Sequence, residues 1–146
     1  MSEITGARVV VMRTVAWGET DAAGHNHFSA AFRWLEETEH ALYRCLGFDT
    51  LMIDRVPRVH VEADYRARLY YGEVIRCEVG VVSIGTSSCT FALVVSRGGE
   101  VAISGRYVVV HVAGNDQGST PWPEEMRVAL ASPVAFSVDL VVRPAP

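Results

Sequence analysis

The chain lacks any cluster of basic residues. Its 13 Lys and Arg are outnumbered by 17 Asp and Glu, for a formal net charge of −4. The nearest approach to a basic pair is the spaced Arg66 and Arg68, too little for a nucleic-acid footprint. Cysteine is scarce as well. Cys45, Cys77 and Cys89 are odd in number and far apart, which fits neither a disulfide framework nor a Cys-x-x-Cys metal pair, so all three are expected as buried apolar residues. No stretch approaches the roughly 18 apolar residues of a membrane span. The opening MSEITGARVVVMRTV puts Glu3 where a secretory signal carries positive charge, and its apolar run is short for such a signal. The expectation is a cytoplasmic protein with neither nucleic acid nor membrane as partner. Internal repeats and low-complexity segments are also missing, and the 146 residues read as one domain over 1–146, with 49% hydrophobic content to build its core.

What is present is alternation. In VHVEADYRARL, Val59, Val61, Ala63, Tyr65, Ala67 and Leu69 alternate with His60, Glu62, Asp64, Arg66 and Arg68, predicting a long strand with one wet face. The same period carries Ile75, Cys77, Val79 and Val81, and then Cys89, Phe91, Leu93 and Val95. Tyr71-Gly72, Gly85-Thr86-Ser87 and Gly98-Gly99 supply the turns of an antiparallel meander. Val101 to Ala113 forms a further strand, apolar on both parities from Tyr107, with Gly105 expected at a bulge. With Arg8 to Trp17 as the first strand, the order is β-α-β-β-β-β. That is an α+β fold, one long helix on a five-stranded antiparallel sheet.

Phe28, Phe32, Leu35, Leu42 and Cys45 or Leu46 recur at helical spacing, while Arg33, Glu36, Glu37, His40 and Arg44 fall between them. Ser29 is the expected N-cap and Gly47 the left-handed stop. Trp17 and Phe32 read as core aromatics, and Trp34, off the stripe, is expected at a subunit contact. Glu36, Glu37 and Glu39 read as a solvated face with pairs Arg33 to Glu37 and Glu36 to His40. After Gly114 the segment GNDQGSTPWPEEMRVAL offers one short helix, and SPVAFSVDLVVRPAP is either an added edge strand or a loose tail.

Chemistry concentrates in ETDAAGHNHFS, directly before that helix. A helix N-terminus has backbone N–H groups without intrahelical partners and the positive end of the macrodipole, which suits an oxyanion. Gly24 permits a sharp turn and close approach of a ligand, and Asp21 stands three residues before it. On residue type alone Asp21 is also a turn or capping residue. His25 and His27, spaced His-x-His, have no third ligand at matching spacing, so no metal is expected.

WGETDAAGHNHFSAAFRWLEE resembles the 4-hydroxybenzoyl-CoA thioesterase type of hotdog-fold acyl-CoA thioesterases. There an Asp-x-x-Gly loop leads from the first strand into a long helix with an Arg-Trp-Leu/Phe-Glu/Asp segment, matched here by Asp21, Gly24 and Arg33-Trp34-Leu35-Glu36, with the likeness covering roughly residues 8 to 115. The resemblance implies hydrolysis of an acyl-CoA or acyl-carrier-protein thioester. Asp21 would be the nucleophile or the general base for water, and backbone N–H groups at Phe28 would hold the thioester oxygen. It implies no cofactor, and a homodimer or homotetramer with active sites at subunit interfaces. Many relatives carry Asn-Tyr where this chain has Ala30 and Ala31, which would widen the acyl pocket. His25, His27 and Glu36 are further candidates for contact with substrate. Some relatives grip the CoA phosphates with basic residues between the third and fourth strands. This chain has Ser83-Ile84-Gly85-Thr86-Ser87 there, which leaves CoA and carrier protein both open. Two other readings stand beside hydrolysis: a hotdog hydroxyacyl dehydratase using His25 and Glu36, although the proline-containing loop of those enzymes is missing, and a non-catalytic acyl-CoA-binding module.

Overall fold

Alternating apolar residues build the sheet. The computed structural model describes residues 3–52, 54–114 and 117–145. Strands β1 (Arg8–Thr14), β2 (Arg58–Tyr65), β3 (Val74–Ile84), β4 (Ser88–Arg97), β5 (Glu100–Val110) and β6 (Ala135–Leu140) accompany helices α1 (Ala30–Leu46), α2 (Asp49–Met52) and α3 (Glu124–Ala131). The order across the sheet is β2-β5-β4-β3-β1-β6. The β-α-β-β-β-β core is therefore present, with one strand more than the five expected. The C-terminal segment is an added edge strand, pairing in parallel with β1 while the other neighbours pair antiparallel. Its pairing satisfies backbone groups that β1 would otherwise expose along that edge. Among the described residues, no helix is long and apolar enough to cross a membrane.

Ile75, Cys77, Val79 and Val81 of β3, and Cys89, Phe91, Leu93 and Val95 of β4, form the buried face on which α1 lies. The helix presents Ala30, Ala31, Trp34, Leu35, Thr38, Ala41, Leu42 and Tyr43 to the core. This corrects the expected stripe: Trp34 is fully buried, Phe32 is exposed, and Trp17 is exposed as well. The indole of Trp34 fills the interior because its N–H finds a carboxylate there, and burying a side chain of that size outweighs burying Phe32 at the helix entrance. Cys77 and Cys89 are buried as expected, but Cys45 is exposed, lying one residue beyond the stripe near the helix end. Gly47, at φ 85°, closes the helix in the left-handed conformation, its N–H donating to the Arg44 carbonyl.

Glu39 departs furthest from its expected solvated place. It is fully buried, accepting the Tyr43 hydroxyl on one oxygen and the Arg58 guanidinium on the other, at 2.7 Å from Nη2 and 3.1 Å from Nε. A carboxylate can leave water only when so paired. The partner comes from β2, which the local charge pattern of the helix does not reveal. Glu37 pairs with Arg13 and Glu36 with Arg58, rather than the intrahelical partners expected.

β2 occupies the opposite edge of the sheet from β6. It ends at Tyr65, and the parity that should be covered is open, with Val59 61% and Val61 38% exposed. Gly105 is not at a bulge: it pairs in register with Ala63 and Leu93. Glycine is needed there for another reason, since a Cβ would lie 2.3 Å from the Glu62 carbonyl oxygen.

Candidate active site

After β1 the chain makes a 3-10 turn, Trp17–Glu19, whose last residue is buried. The Glu19 carboxylate accepts three donors: the Ala16 N–H at 2.8 Å, the Arg13 guanidinium at 2.9 Å and the Trp34 indole N–H at 2.8 Å. Its carbonyl accepts the His27 N–H at 2.8 Å. One acidic residue thus ties strand, loop and helix together. Beyond it the chain folds back on itself, with Thr20 bridging to Asn26, the Asp21 N–H donating to the His25 carbonyl at 2.9 Å, and Gly24 turning at φ 91°.

Asn26 anchors this loop from below. It is buried, its N–H donates to the Leu69 carbonyl at 2.7 Å, and its side-chain oxygen accepts the Leu69 N–H at 3.0 Å. The pair holds the Asp21 loop against the segment that follows β2. A cleft of about 400 Å³ opens between them, lined by Asp21, His25, Asn26, His27 and Phe28 on one side and Tyr65, Arg66, Ala67 and Arg68 on the other.

Both readings of Asp21 meet in its geometry. Oδ1 accepts the Ala23 N–H at 2.8 Å, which is the turn-forming role. Oδ2 has no partner among the described residues and is free to act on a ligand in the cleft. Near the helix start, the backbone N–H of Phe28 also has no partner, while its carbonyl accepts the Tyr65 hydroxyl at 2.6 Å. Desolvation raises the Tyr65 phenol above its ordinary value, which keeps that donor protonated.

The two histidines differ in tautomer because their partners differ. His25 Nδ1 lies 3.1 Å from the Asn26 carbonyl, which only accepts, so Nδ1 carries the proton and Nε2 keeps its lone pair in the neutral ring. His27 Nδ1 accepts the Ser29 N–H at 3.2 Å and lies 2.7 Å from the Ser29 hydroxyl, so the proton of the neutral ring is on Nε2. Ser29 stands at the N-cap position as expected, but it does not cap: its backbone is helical (φ −71°, ψ −16°) and its hydroxyl is engaged by His27.

Of the expected site residues, Asp21, His25, His27 and Phe28 come together in the cleft. Gly24 is exposed at the loop turn. Ala30 and Ala31 are buried in the core and do not line the cleft. Glu36 lies in a separate groove between α1 and β6, with Oε2 3.3 Å from Arg58, so the His25–Glu36 pair of the dehydratase reading is not assembled within the chain. No group of three or more His, Cys, Asp or Glu able to hold a metal occurs among the described residues. Tyr65, Arg66, Arg68 and the anchoring Glu19 and Asn26 were missed by sequence reasoning. Only the nearness of Glu19 and Asn26 to Asp21 in sequence pointed toward them.

Residues 15–130 match the model of the thioesterase-like superfamily. The chain belongs to that family. A 1,4-dihydroxy-2-naphthoyl-CoA hydrolase of Prochlorococcus marinus is 36% identical over 100 residues, which take in 60% of this chain and 64% of that relative's length. A protein of the same name from Synechococcus elongatus is 23% identical over 121 residues, covering 79% and 89% of the two chains. Among solved structures, a predicted thioesterase from Bacillus stearothermophilus superposes with a TM-score of 0.79 at 25% identity, over 94% of this chain and 99% of that one. A gentisyl-coenzyme A thioesterase gives 0.75 at 25% identity, over 84% and 99%.

Proposed function

We propose that this protein hydrolyses an acyl-CoA thioester, with an aromatic acyl group, to the free carboxylic acid and thiol at the Asp21 cleft. The observation that carries this reading is the presence at one cleft of a carboxylate oxygen, Asp21 Oδ2, and a backbone donor, the Phe28 N–H, that both lack a partner among the described residues. The names of the relatives, both hydrolases of aryl-CoA thioesters, support the substrate class. Aromatic rings at the cleft, Phe28 with His27 at 4.7 Å between centroids and Tyr65 across from them, suit a flat acyl group.

In the general-base form, Asp21 takes a proton from water as its oxygen bonds to the thioester carbon. The carbonyl electron pair moves onto oxygen, facing the Phe28 N–H, and collapse of that intermediate expels the thiolate, which is then protonated. Fixed donors aimed at the developing oxyanion are usually the largest contribution to such catalysis, about 3–4 kcal/mol each. In the nucleophilic form Asp21 attacks the carbonyl itself, the C–S bond breaks and the thiolate departs to be protonated, and water then hydrolyses the mixed anhydride to the free acid and the restored Asp21 carboxylate. His27, with its Nε2–H, adds a side-chain donor in either case.

The open β2 edge supports a homodimer or homotetramer. Among the described residues no strand pairs with the outer edge of β2, and Val59 and Val61 lie exposed there directly before the cleft residues Tyr65 to Arg68, so a second copy seated there would also wall the site. The experiment is a thiol-release assay of the purified protein against aryl-CoA, short and long aliphatic acyl-CoA and acyl-pantetheine thioesters. Release from an aryl-CoA, lost in Asp21→Asn, is the expected result. A protein that releases thiol from none of them overturns the reading.

A further inference from the structure

All thirteen basic residues of the chain are arginine. Most are neutralised by their neighbours: Arg13 by Glu19 and Glu37, Arg58 by Glu36 and Glu39, Arg97 by Glu73 and Glu100, Arg106 by Glu3. Arg66 and Arg68 are exceptions. Their guanidinium groups are exposed, have no carboxylate or carbonyl partner among the described residues, and line the same cleft as Asp21. The nearest acids in sequence, Glu62 and Asp64, line a different cavity with Glu3 and Glu78.

The segment that carries the two arginines is held firmly while their side chains are free. The Arg66 and Ala67 N–H groups both donate to the Ala102 carbonyl, at 2.7 and 3.2 Å. Arg97 donates to the Arg68 carbonyl at 2.9 Å, and Asn26 clasps Leu69 beside it. The result is a preorganised cationic rim on a chain whose net charge of −4 would otherwise repel an anion. Two guanidinium groups lining one cleft suit phosphate, which accepts the planar N–H pairs of arginine in a bidentate manner. An exposed rim suits a group that remains hydrated, whereas an apolar acyl group gains by reaching the rings of Phe28 and Tyr65.

We propose that Arg66 and Arg68 hold the phosphate of the substrate's phosphopantetheine arm. This rests on the thioesterase reading of the Asp21 cleft. It gives the cleft a polarity, with the acyl group toward Phe28 and Tyr65 and the carrier leaving across the two arginines. The phosphate is common to CoA and to the arm of an acyl carrier protein, and the hairpin between β3 and β4, residues 85–87, carries no basic residue of its own, while the Arg127 guanidinium beside it is engaged by the Gly85 and Thr86 carbonyls.

The test compares one aryl group presented on CoA, on 4′-phosphopantetheine, on pantetheine and on a carrier protein, with wild type, Arg66→Gln/Arg68→Gln and Arg44→Gln. Arg44 is an exposed arginine in the groove between α1 and β6 and serves as a charge control. The double substitution is expected to raise KM for the phosphorylated arms about tenfold, with the rise confined to those arms and kcat little changed. Added salt should raise KM in the same pattern for wild type. A rise for CoA, 4′-phosphopantetheine and carrier protein alike assigns the shared phosphate and supports the proposal, whereas a rise for CoA alone places the contact at the nucleotide end and overturns it. An unchanged KM for every arm, or an equal rise for the pantetheine thioester, overturns it. Calorimetric titration with CoA lacking any acyl group gives an answer independent of turnover: about tenfold weaker binding to the double variant is expected, and equal binding refutes the site even if no thioester is hydrolysed.

Discussion

Glu19 accepts the indole N–H of Trp34 at 2.8 Å, joining the turn before the Asp21 loop to the first turns of α1 inside the core. The same carboxylate takes Arg13 and the Ala16 N–H. Glu19→Ala would leave buried donors without an acceptor and is expected to cost about 3–5 kcal/mol, with Trp34→Phe costing about 1.5–3 kcal/mol. Urea unfolding of both single variants and the double variant checks this. Because the two side chains share one bond, the double variant should be less destabilised than the sum of the singles, and strict additivity would show that they act separately.

Asp21→Asn keeps the shape of the loop and removes the charge. It should lower kcat about a hundredfold or more while the Tm stays within a few degrees. A correctly assembled Asp21→Asn protein with near wild-type turnover sinks the catalytic assignment and moves attention to His25, whose Nε2 carries the free lone pair.

The backbone donor is separable from the ring above it. Phe28→Ala keeps the N–H and should act mainly on KM, whereas Phe28→Pro removes the N–H and should lower kcat by about 10²–10³. Ser29→Ala should leave stability within about 0.5 kcal/mol, since its hydroxyl bonds His27 and does not cap the helix. Steady-state kinetics with circular dichroism distinguishes these outcomes.

Gly105→Ala tests how the open edge is held. The added methyl carbon would sit 2.3 Å from the Glu62 carbonyl oxygen, so β2 must move away from β5 at a cost of about 1–3 kcal/mol. If β2 is also the surface on which a second copy sits, Gly105→Ala and Val61→Lys should both shift the mass seen by light scattering from a multiple of the chain toward a single chain. Two variants that stay fully assembled would exclude that edge.

The thiols give a pH-dependent signature. Burial pushes the Cys77 thiol up to about 12 from an ordinary 9.0, and burial raises Cys89 in the same direction. Both folded values lie above the unfolded one, so the unfolded chain sheds these protons first. The stability they carry is intact below about pH 9 and is lost as the pH climbs toward 12. Denaturation midpoints should fall across that window and less steeply in Cys77→Ala/Cys89→Ala, measured against its own value at pH 8. At pH 8 a thiol reagent should titrate one cysteine per native chain, the exposed Cys45, and three after denaturation.

Several features were legible in the sequence because they depend on near neighbours. Period-two alternation marked β3 and β4, since a pleated strand turns every second residue to one face. Gly47 marked the end of α1, since few other residues adopt a positive φ at no cost. Asp21 and Gly24 announced the loop by residue type and spacing, and the resemblance drawn from them agrees with the family match over residues 15–130.

Other features were decided by residues distant in the chain. Helical spacing favoured Phe32 over Trp34 for the core, and it read Glu39 as solvated, because periodicity registers polarity and says nothing of distant partners. Trp34 is buried because Glu19 meets its N–H, and Glu39 because Arg58 and Tyr43 meet its carboxylate. Arg66 and Arg68 looked like the wet parity of a strand until Asn26 and Leu69 brought them to Asp21. The sequence by itself determined the strands, the helix and the acidic loop through local geometry. Only the tertiary structure decided which polar groups could be buried and which cations face the acid, because burial of charge and assembly of a cleft require partners that chain folding brings from afar.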